Sequence, residues 1–309
     1  MLAVSQNRSP ELRQLIPGDR DPDFPFLFRV ARTFYTLLSG YRGKFFFYSL
    51  LGKFNGLDQA GRFEYFGGRV YIPLRVPETL YVNDFSLFQG LREINFAHQL
   101  NSMFEEFVLL DCGGYFAQVS MRIEKLCPGL ENTVIFDPNA ENCVYSRANL
   151  ELTGKPFKVI NAAVSDFSGN ARLIFPEGPN VPDSAYIEKC EDGDIGVLRL
   201  DDLLASHSID LSGKNVAIKL DVEGQEKAAV LGAERVIREA GAVCFFMELH
   251  PGVLKRTGQT AESLLQSVSE IRHTDWYVAD QPDLKLMSGA PVFEQIGEER
   301  IIDIVGVAK

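Results

Sequence analysis

AIKLDVEGQEKAAVLGA, residues 217–233, carries the fold of this chain. An apolar run with Ala217, Ile218 and Leu220 stops abruptly at two carboxylates, Asp221 and Glu223, and at Gly224. This is the pattern of a buried parallel strand; the glycine permits a tight exit, and residues 225–233 have the spacing of a helix packing back on a sheet. Ligands of open α/β sheets bind outside the carboxyl ends of their strands. A single acid at such a place reads as a helix cap. Two acids, with a further acidic strand end downstream, read as part of a site.

On either side the same pattern repeats. FVLLDC (107–112), TVIFDP (133–138), FKVINAAV (157–164), NVAIKLDV (215–222) and AVCFFMEL (242–249) are predicted strands separated by helices, which specifies an α/β fold with a doubly wound, mostly parallel sheet. Residues 165–200, rich in Gly and Pro, interrupt the alternation and predict an inserted loop with a strand pair at 171–175 and 196–200. AESLLQSVSEI predicts a helix, DWYVAD a short strand, the following residues a loop, and RIIDIVGVAK the last strand. Ahead of the sheet, residues 1–25 read as an extended or disordered lead, helical spacing runs to about residue 53, and residues 62–82 predict a hairpin or edge strands. The expected organisation is an N-terminal annex, 1–100, and a main domain, 101–309.

The 309 residues are 46% apolar and 24% charged, enough to bury a full core. Net charge is −11, unevenly spread: residues 1–100 carry 12 Lys/Arg and 9 Asp/Glu, whereas residues 101–309 carry 19 and 33. The acidic main domain argues against nucleic acid as a partner. Cys112, Cys127, Cys143, Cys190 and Cys244 are scattered, as reduced thiols of a cytoplasmic protein are, and no signal peptide is evident. FFFYSLLGKF (45–54) is too short to span a bilayer, which needs ~20 residues. Arg29, Arg32, Arg42, Lys44 and Lys53 interleave with aromatics such as Phe28 and Phe34, predicting one or two amphipathic helices. Such helices could pack on the main domain, join two copies as a homodimer, or make peripheral membrane contact.

Candidate site residues gather at the strand ends. DCGGYFAQVS (111–120) puts Asp111, Gly113 and Gly114 at a strand-to-helix turn, either to admit a ligand to the backbone or simply to turn the chain. The spacing G-x-G-x-x-G is missing, which disfavours a pyrophosphate cradle and a nicotinamide-dependent oxidoreductase. FDPNAEN places Asp137 at the next strand end, where an acid can accept from both hydroxyls of a ribose, with Pro138 fixing the exit and Asn139 capping a helix. Small Ala162 and Ala163 leave room for a flat ring. ELHP ends the fifth strand with Glu248 and His250; His250 is the expected general base because imidazole titrates near neutral pH, with helix capping as its structural alternative. His98, His207 and His273 lack such settings.

Taken in order, VLLDCGGYFAQVS, VIFDPNAENCVYSRANL, VINAAVSDFSGNARL, VLRLDDLL, IKLDVEGQEKAAVLGA and FMELHP resemble the FkbM family of S-adenosylmethionine-dependent methyltransferases, over residues 105–255. The resemblance implies a class I methyltransferase Rossmann-like sheet of seven strands with an antiparallel last strand. It implies S-adenosylmethionine as cofactor and a hydroxyl on a sugar, glycan or natural product as methyl acceptor. By position, Asp111, Gly113 and Gly114 would line the methionine end of the cofactor, with Tyr115 and Ala117 in the same turn. Asp137, with Pro138 and Asn139, would hold the ribose; Ala163 and Val164 would lie near the adenine, and Asp221 near the sulfonium. Asp221, Glu223, Glu248 and His250 form the expected catalytic cluster. A variant has Asp221, Glu248 and His250 hold a divalent metal, though no metal is assigned. The family has Asn at Tyr115 and Gly at Ala117; these departures leave open a degenerate cofactor-binding module that docks a partner.

Overall fold

The computed structural model describes residues 24–37, 57, 59–87, 90–174 and 186–308. Its first elements are helix α1 (Phe26–Leu37) and a hairpin of β1 (Ala60–Tyr65) and β2 (Gly68–Pro73). Helix α2 (Leu91–Met103) leads into β3 (Phe107–Cys112), α3 (Gln118–Leu126), β4 (Leu130–Asp137), α4 (Ala140–Glu151) and β5 (Phe157–Asn161). Then follow β6 (Ala163–Ser165), β7 (Gly169–Ile174), β8 (Tyr186–Lys189), β9 (Ile195–Arg199) and α5 (Leu200–Ser206). β10 (Val216–Leu220), α6 (Glu226–Gly232), α7 (Glu234–Glu239), β11 (Val243–Leu249), α8 (Pro251–Arg256) and α9 (Ala261–Ile271) complete the central part. The chain closes with β12 (Thr274–Val278), β13 (Gln281–Leu286), α10 (Val292–Ile296) and β14 (Ile302–Ala308).

Among the described residues the main sheet has the order β13-β12-β14-β11-β10-β3-β4-β5. β3, β4, β5, β10 and β11 pair in parallel, and β14 runs antiparallel between β11 and β12. From β5 to β12 this is the class I methyltransferase sheet. One expectation needs correcting: the loop expected after DWYVAD is instead β13, which pairs with β12 and makes an eighth strand. It is exposed along most of its length, so its sequence lacks the apolar run that marks the interior strands.

Buried strands of a doubly covered sheet alternate between two cores. In β10, Val216, Ile218 and Leu220 face one core; β11 contributes Val243, Phe245, Met247 and Leu249 to the same side. Ala217, Cys244 and Phe246 face the other, with Leu109 of β3 and Phe96, Ala97 and Leu100 of α2. Each fully buried Leu, Ile or Phe contributes roughly 1.5–3 kcal/mol. The same alternation puts Asp111, Lys219, Glu248 and Asp303 on the second face, at the end where its apolar packing stops. Helix α2 belongs to that packing.

FKVINAAV does not remain one strand. It breaks at Ala162, and Ala163–Ser165 starts a second sheet, in the order β6-β9-β7-β8. The insertion expected as a loop with a strand pair thus supplies β7, β8 and β9, which join β6, and of these β8 has no strong sequence pattern; residues 175–185 lie outside the described residues. So do the lead 1–23 and the basic aromatic stretch 38–56.

The annex that is described packs on the main domain. Phe28 and Ala31 of α1 join the hairpin in a core that also takes Phe116, Met121, Ile135 and Tyr145. Buried Asn149 of α4 fastens it: its Oδ1 accepts from Tyr71 N–H (2.7 Å), and its Nδ2 donates to the carbonyls of Tyr71 (2.9 Å) and Phe116 (2.8 Å). Arg32 ties α1 to the chain beyond the hairpin by donating to the carbonyls of Thr79 (2.7 Å) and Val82 (2.8 Å). Among the described residues no helix is long and apolar enough to cross a membrane.

Candidate active site

The carboxyl ends of β3, β4, β10 and β11 open into a cavity of about 480 Å3. Its floor is tied by a lysine that the apolar reading of β10 passed over. Lys219, 5% exposed, donates from Nζ to the Gly113 carbonyl at 2.7 Å and lies 3.2 Å from Asp221 Oδ2 and 3.4 Å from Asp111 Oδ1. The contact with Asp111 is ionic and lacks hydrogen-bond geometry, leaving Oδ1 without a hydrogen-bond partner; Oδ2 accepts from Ser120 Oγ at 2.6 Å. Burial opposes the ammonium, but Asp221 and Asp111 outweigh it and hold Lys219 above the ordinary lysine range. Its only advance signal was a charged residue inside a strand buried on both faces.

Behind β3 the chain turns through Gly113 (φ 85°), Tyr115 (φ 50°) and Ala117 (φ 63°). The two glycines are required by neighbouring strands: a Cβ on Gly113 would overlap the Asp221 carbonyl, and one on Gly114 would overlap the Ile135 side chain. Ala117 is left-handed and fully buried. That conformation costs a non-glycine residue about 1–2 kcal/mol, which its packing with Phe116 and Met121 offsets. Ala117 supplies no side-chain cap for α3, so the first N–H groups of that helix, at Gln118 and Val119 in the cavity wall, have no side-chain acceptor there. Uncapped helix N-termini attract anions.

Asp137, at the end of β4, is 4% exposed and already engaged. Oδ2 accepts from Tyr115 N–H (2.9 Å), Oδ1 from Asn139 N–H (2.8 Å), and Asn142 Nδ2 reaches both oxygens at 3.3 Å. Burial raises its carboxyl to about 6 against these bonds. Asn139 caps α4 as expected, accepting from Glu141 N–H at 2.9 Å. A carboxylate has about four acceptor positions, so the long contacts from Asn142 are the ones a ligand diol would displace.

Beyond β10, Glu223 has φ 54° and Gly224 φ 101°. The loop is pinned from inside by Glu226, whose Oε1 accepts from Val222 N–H (3.2 Å) and Gly224 N–H (3.1 Å), and from outside by Arg256, which donates to the Glu223 carbonyl at 3.0 Å. The helix that follows has Gln225 at its N-cap without a side-chain cap bond, so the capping role weighed for Asp221 and Glu223 is not filled; the acid that braces this loop is Glu226, which is 5% exposed. Asp221 and Glu223 line the cavity.

Glu248 lines it too, from the end of β11. Burial first, then repulsion from Asp221, Asp303 and Glu223, raise its carboxyl to about 8 despite Lys219. Asp303 is its antiparallel register partner on β14; burial raises it to about 7, against the pull of Arg92, with which it pairs. His250 is placed differently from expectation. Its Nδ1 accepts from the N–H groups of Gly252 (3.1 Å) and Val253 (3.4 Å), capping α8, and it does not line the cavity. The Pro251 that follows it fixes the start of that helix, so imidazole is turned to backbone rather than to the cavity. Nor do Asp221, Glu248 and His250 make a metal site: among the described residues no three such side chains are grouped to hold an ion.

Of the residues expected at the cofactor, Gly113, Gly114, Tyr115, Asp137, Pro138, Asn139, Ala163, Val164 and Asp221 line the cavity. Asp111 and Ala117 lie behind its wall. The annex contributes Arg75, Val76, Glu78 and Phe85, and the insertion Leu173, Tyr186 and Ile187. The sequence around these annex and insertion residues carried no pattern from which a pocket could be read.

No protein-family profile matches the sequence, and no curated protein matches it. Among solved structures, the methyltransferase FkbM from Methylobacillus flagellatus KT is 15% identical, over 69% of this chain and 47% of its own, with a TM-score of 0.42. The chain thus spans about half the length of that protein. M. jannaschii TYW2 in complex with AdoMet is 10% identical over 81% of this chain and 84% of its own, with a TM-score of 0.40. A precorrin-6y C5,15-methyltransferase from Geobacter metallireducens GS-15 is 12% identical over 70% of this chain and 87% of its own, with a TM-score of 0.38.

Proposed function

We propose that this chain is an S-adenosylmethionine-dependent methyltransferase acting on a hydroxyl of a sugar, glycan or natural product. The carrying observation is a single cavity with two unlike ends: Asp137 and the uncapped start of α3 at one, and Asp221, Glu223 and Glu248 at the other. Its volume of about 480 Å3 lies within the ~300–1,000 Å3 of small-molecule sites. The donor set suits the cofactor. Asp137 would take the ribose hydroxyls in place of Asn142, Ala163 and Val164 leave space for adenine, and the first N–H groups of α3 would receive the carboxylate. Asp221 and its acidic neighbours suit the ammonium and sulfonium charges.

Bound S-adenosylmethionine supplies an electrophilic methyl group. The chain's task is to align an acceptor oxygen and remove its proton. Glu248 is the base in this reading: its carboxylate accepts the hydroxyl proton as the new O–CH3 bond forms, and a carboxyl raised to about 8 is a stronger base than an ordinary glutamate. Annex and insertion residues form the acceptor walls, excluding water and restricting orientation. His250, spent on its helix cap, has no step.

Calorimetry with S-adenosylmethionine, S-adenosylhomocysteine and NAD tests the cofactor, and methyl transfer to a panel of sugars and glycans tests the acceptor. Tight binding of the two sulfur compounds with label transfer is expected. Failure of both to bind refutes the reading. Binding without turnover on any acceptor would favour a cofactor-binding module, the alternative to which left-handed Tyr115 and Ala117 lend support.

A further inference from the structure

An ammonium inside the central strand of a sheet loses several kcal/mol of hydration unless its surroundings replace it. Lys219 is only 5% exposed; it donates a hydrogen bond to the Gly113 carbonyl on the β3 side and makes ionic contacts with Asp111 of β3 and with Asp221 beyond its own strand. The Gly113 N–H is meanwhile bound to the Phe136 carbonyl of β4 (2.8 Å), and the Asp221 N–H to the Cys112 carbonyl of β3 (3.1 Å). Lys219 thus closes a ring of bonds joining the ends of β3, β4 and β10, directly beneath the cavity. An aliphatic residue at 219 would satisfy the burial of β10 but leave the Gly113 carbonyl and both carboxylates without this partner.

The charges facing Glu248 make the position of this ammonium consequential. Asp221 and Glu223 come from the loop after β10 and Asp303 from β14, where Arg92 and Glu93 of α2 act on it in turn; Lys219 stands on the same sheet face in the adjacent strand, in register with Phe246, two residues before Glu248. Arg92 pairs with Asp303, and Glu93 is matched by Arg122 of α3 at 3.1 Å. Arg75, the other cation of the cavity wall, pairs with Glu141. Among the described residues of the cavity lining, Lys219 is left as the cation beneath the acidic end.

We propose that Lys219 is a positioning residue of this site: it fixes the Gly113 carbonyl and the Asp221 carboxylate in place and sets a positive charge on the sheet face from which Glu248 of the neighbouring strand enters the cavity. The inference rests on the reading of Glu248 as the base, but its test does not require turnover. The Glu248 carboxyl signal of protein labelled with 13C-glutamate, assigned by its loss in Glu248→Gln, is titrated in the wild type, Lys219→Gln and Lys219→Arg. Loss of a nearby opposite charge raises the midpoint of a carboxyl. That rise is expected in Lys219→Gln and not in Lys219→Arg.

In the wild type, the 15Nζ signal of Lys219 should also step at the Glu248 midpoint, and the step should vanish in Glu248→Gln, because coupling between two sites is reciprocal. This second measurement stands even if Lys219→Gln fails to fold. An unmoved Glu248 midpoint in Lys219→Gln, or a wild-type Lys219 signal without the step, overturns the proposal. Calorimetry on the same samples separates the two ideas: failure to bind either sulfur compound refutes the methyltransferase reading and leaves the titration result intact.

Discussion

Glu248→Gln keeps the side chain's shape and removes its charge, and its first effect should be on stability. In the folded chain this carboxyl is raised from an ordinary 4.5 to about 8. A carboxyl raised by folding binds its proton more tightly in the folded state. Its stabilising contribution is therefore complete below pH 4.5 and is lost as pH rises through about 8. A rise of between three and four units, at ~1.4 kcal/mol each, bounds the loss at ~5 kcal/mol. Asp303, raised to about 7 on the partner strand, ionises over the same window and shares the repulsion. About 2–3 kcal/mol is thus expected from Glu248 alone. Urea unfolding at pH 5, 7 and 9 measures it: the wild type should weaken across this range by ~2–3 kcal/mol more than Glu248→Gln does. The same substitution should lower kcat by ~10²–10⁴-fold and abolish the rise of wild-type kcat/KM with pH through about 8. Parallel stability curves for the two proteins would refute the argument, because they would mean that Glu248 is ionised at no cost.

Three further outcomes test how the cavity is held. Asn149→Ala removes two hydrogen bonds to the Tyr71 backbone and one to the Phe116 carbonyl; at ~0.5–1.5 kcal/mol for each hydrogen bond, a loss of ~2–4 kcal/mol is expected in urea unfolding, and a loss below ~1 would contradict the fastening role. Gly113→Ala combines a left-handed φ with overlap on the Asp221 carbonyl, so it should cost more than ~3 kcal/mol, seen as unfolded or insoluble protein. Ala117→Gly relieves ~1–2 kcal/mol of backbone strain, loses ~0.8 kcal/mol of methyl burial and adds ~0.4–1 kcal/mol of chain entropy; thermal unfolding should find it within ~1 kcal/mol of the wild type.

Much of the sheet was legible because its information is local. FVLLDC became β3 residue for residue, and β4, β10 and β11 fell within two or three residues of the runs that predicted them. A strand buried on both faces must be apolar throughout, whoever its neighbours are. The acids at the strand ends were legible for the same reason. β13 and β8 were not, since exposed strands at the side of a sheet need no apolar run, and the break at Ala162 depends on a second sheet that residues 157–164 do not encode.

The sequence by itself determined which residues stand at the carboxyl ends: Asp111, Asp137, Asp221, Glu223, Glu248 and His250. Tertiary structure decided what each one does. Asp137 holds the Tyr115 backbone from 22 residues away, Lys219 reaches Gly113 across 106 residues, and Glu248 meets Asp303 only because β14 is inserted antiparallel beside β11. His250 turned to its own helix, and Glu226 braces the loop from which Asp221 and Glu223 project. Side-chain periodicity fixes a face and a height in the sheet from local sequence, whereas the partner of a buried charge is fixed by strand register between segments remote in the chain. Charges interact through space at those distances, and that is why the acid cluster could be located in the sequence while its ionisation was set by the fold.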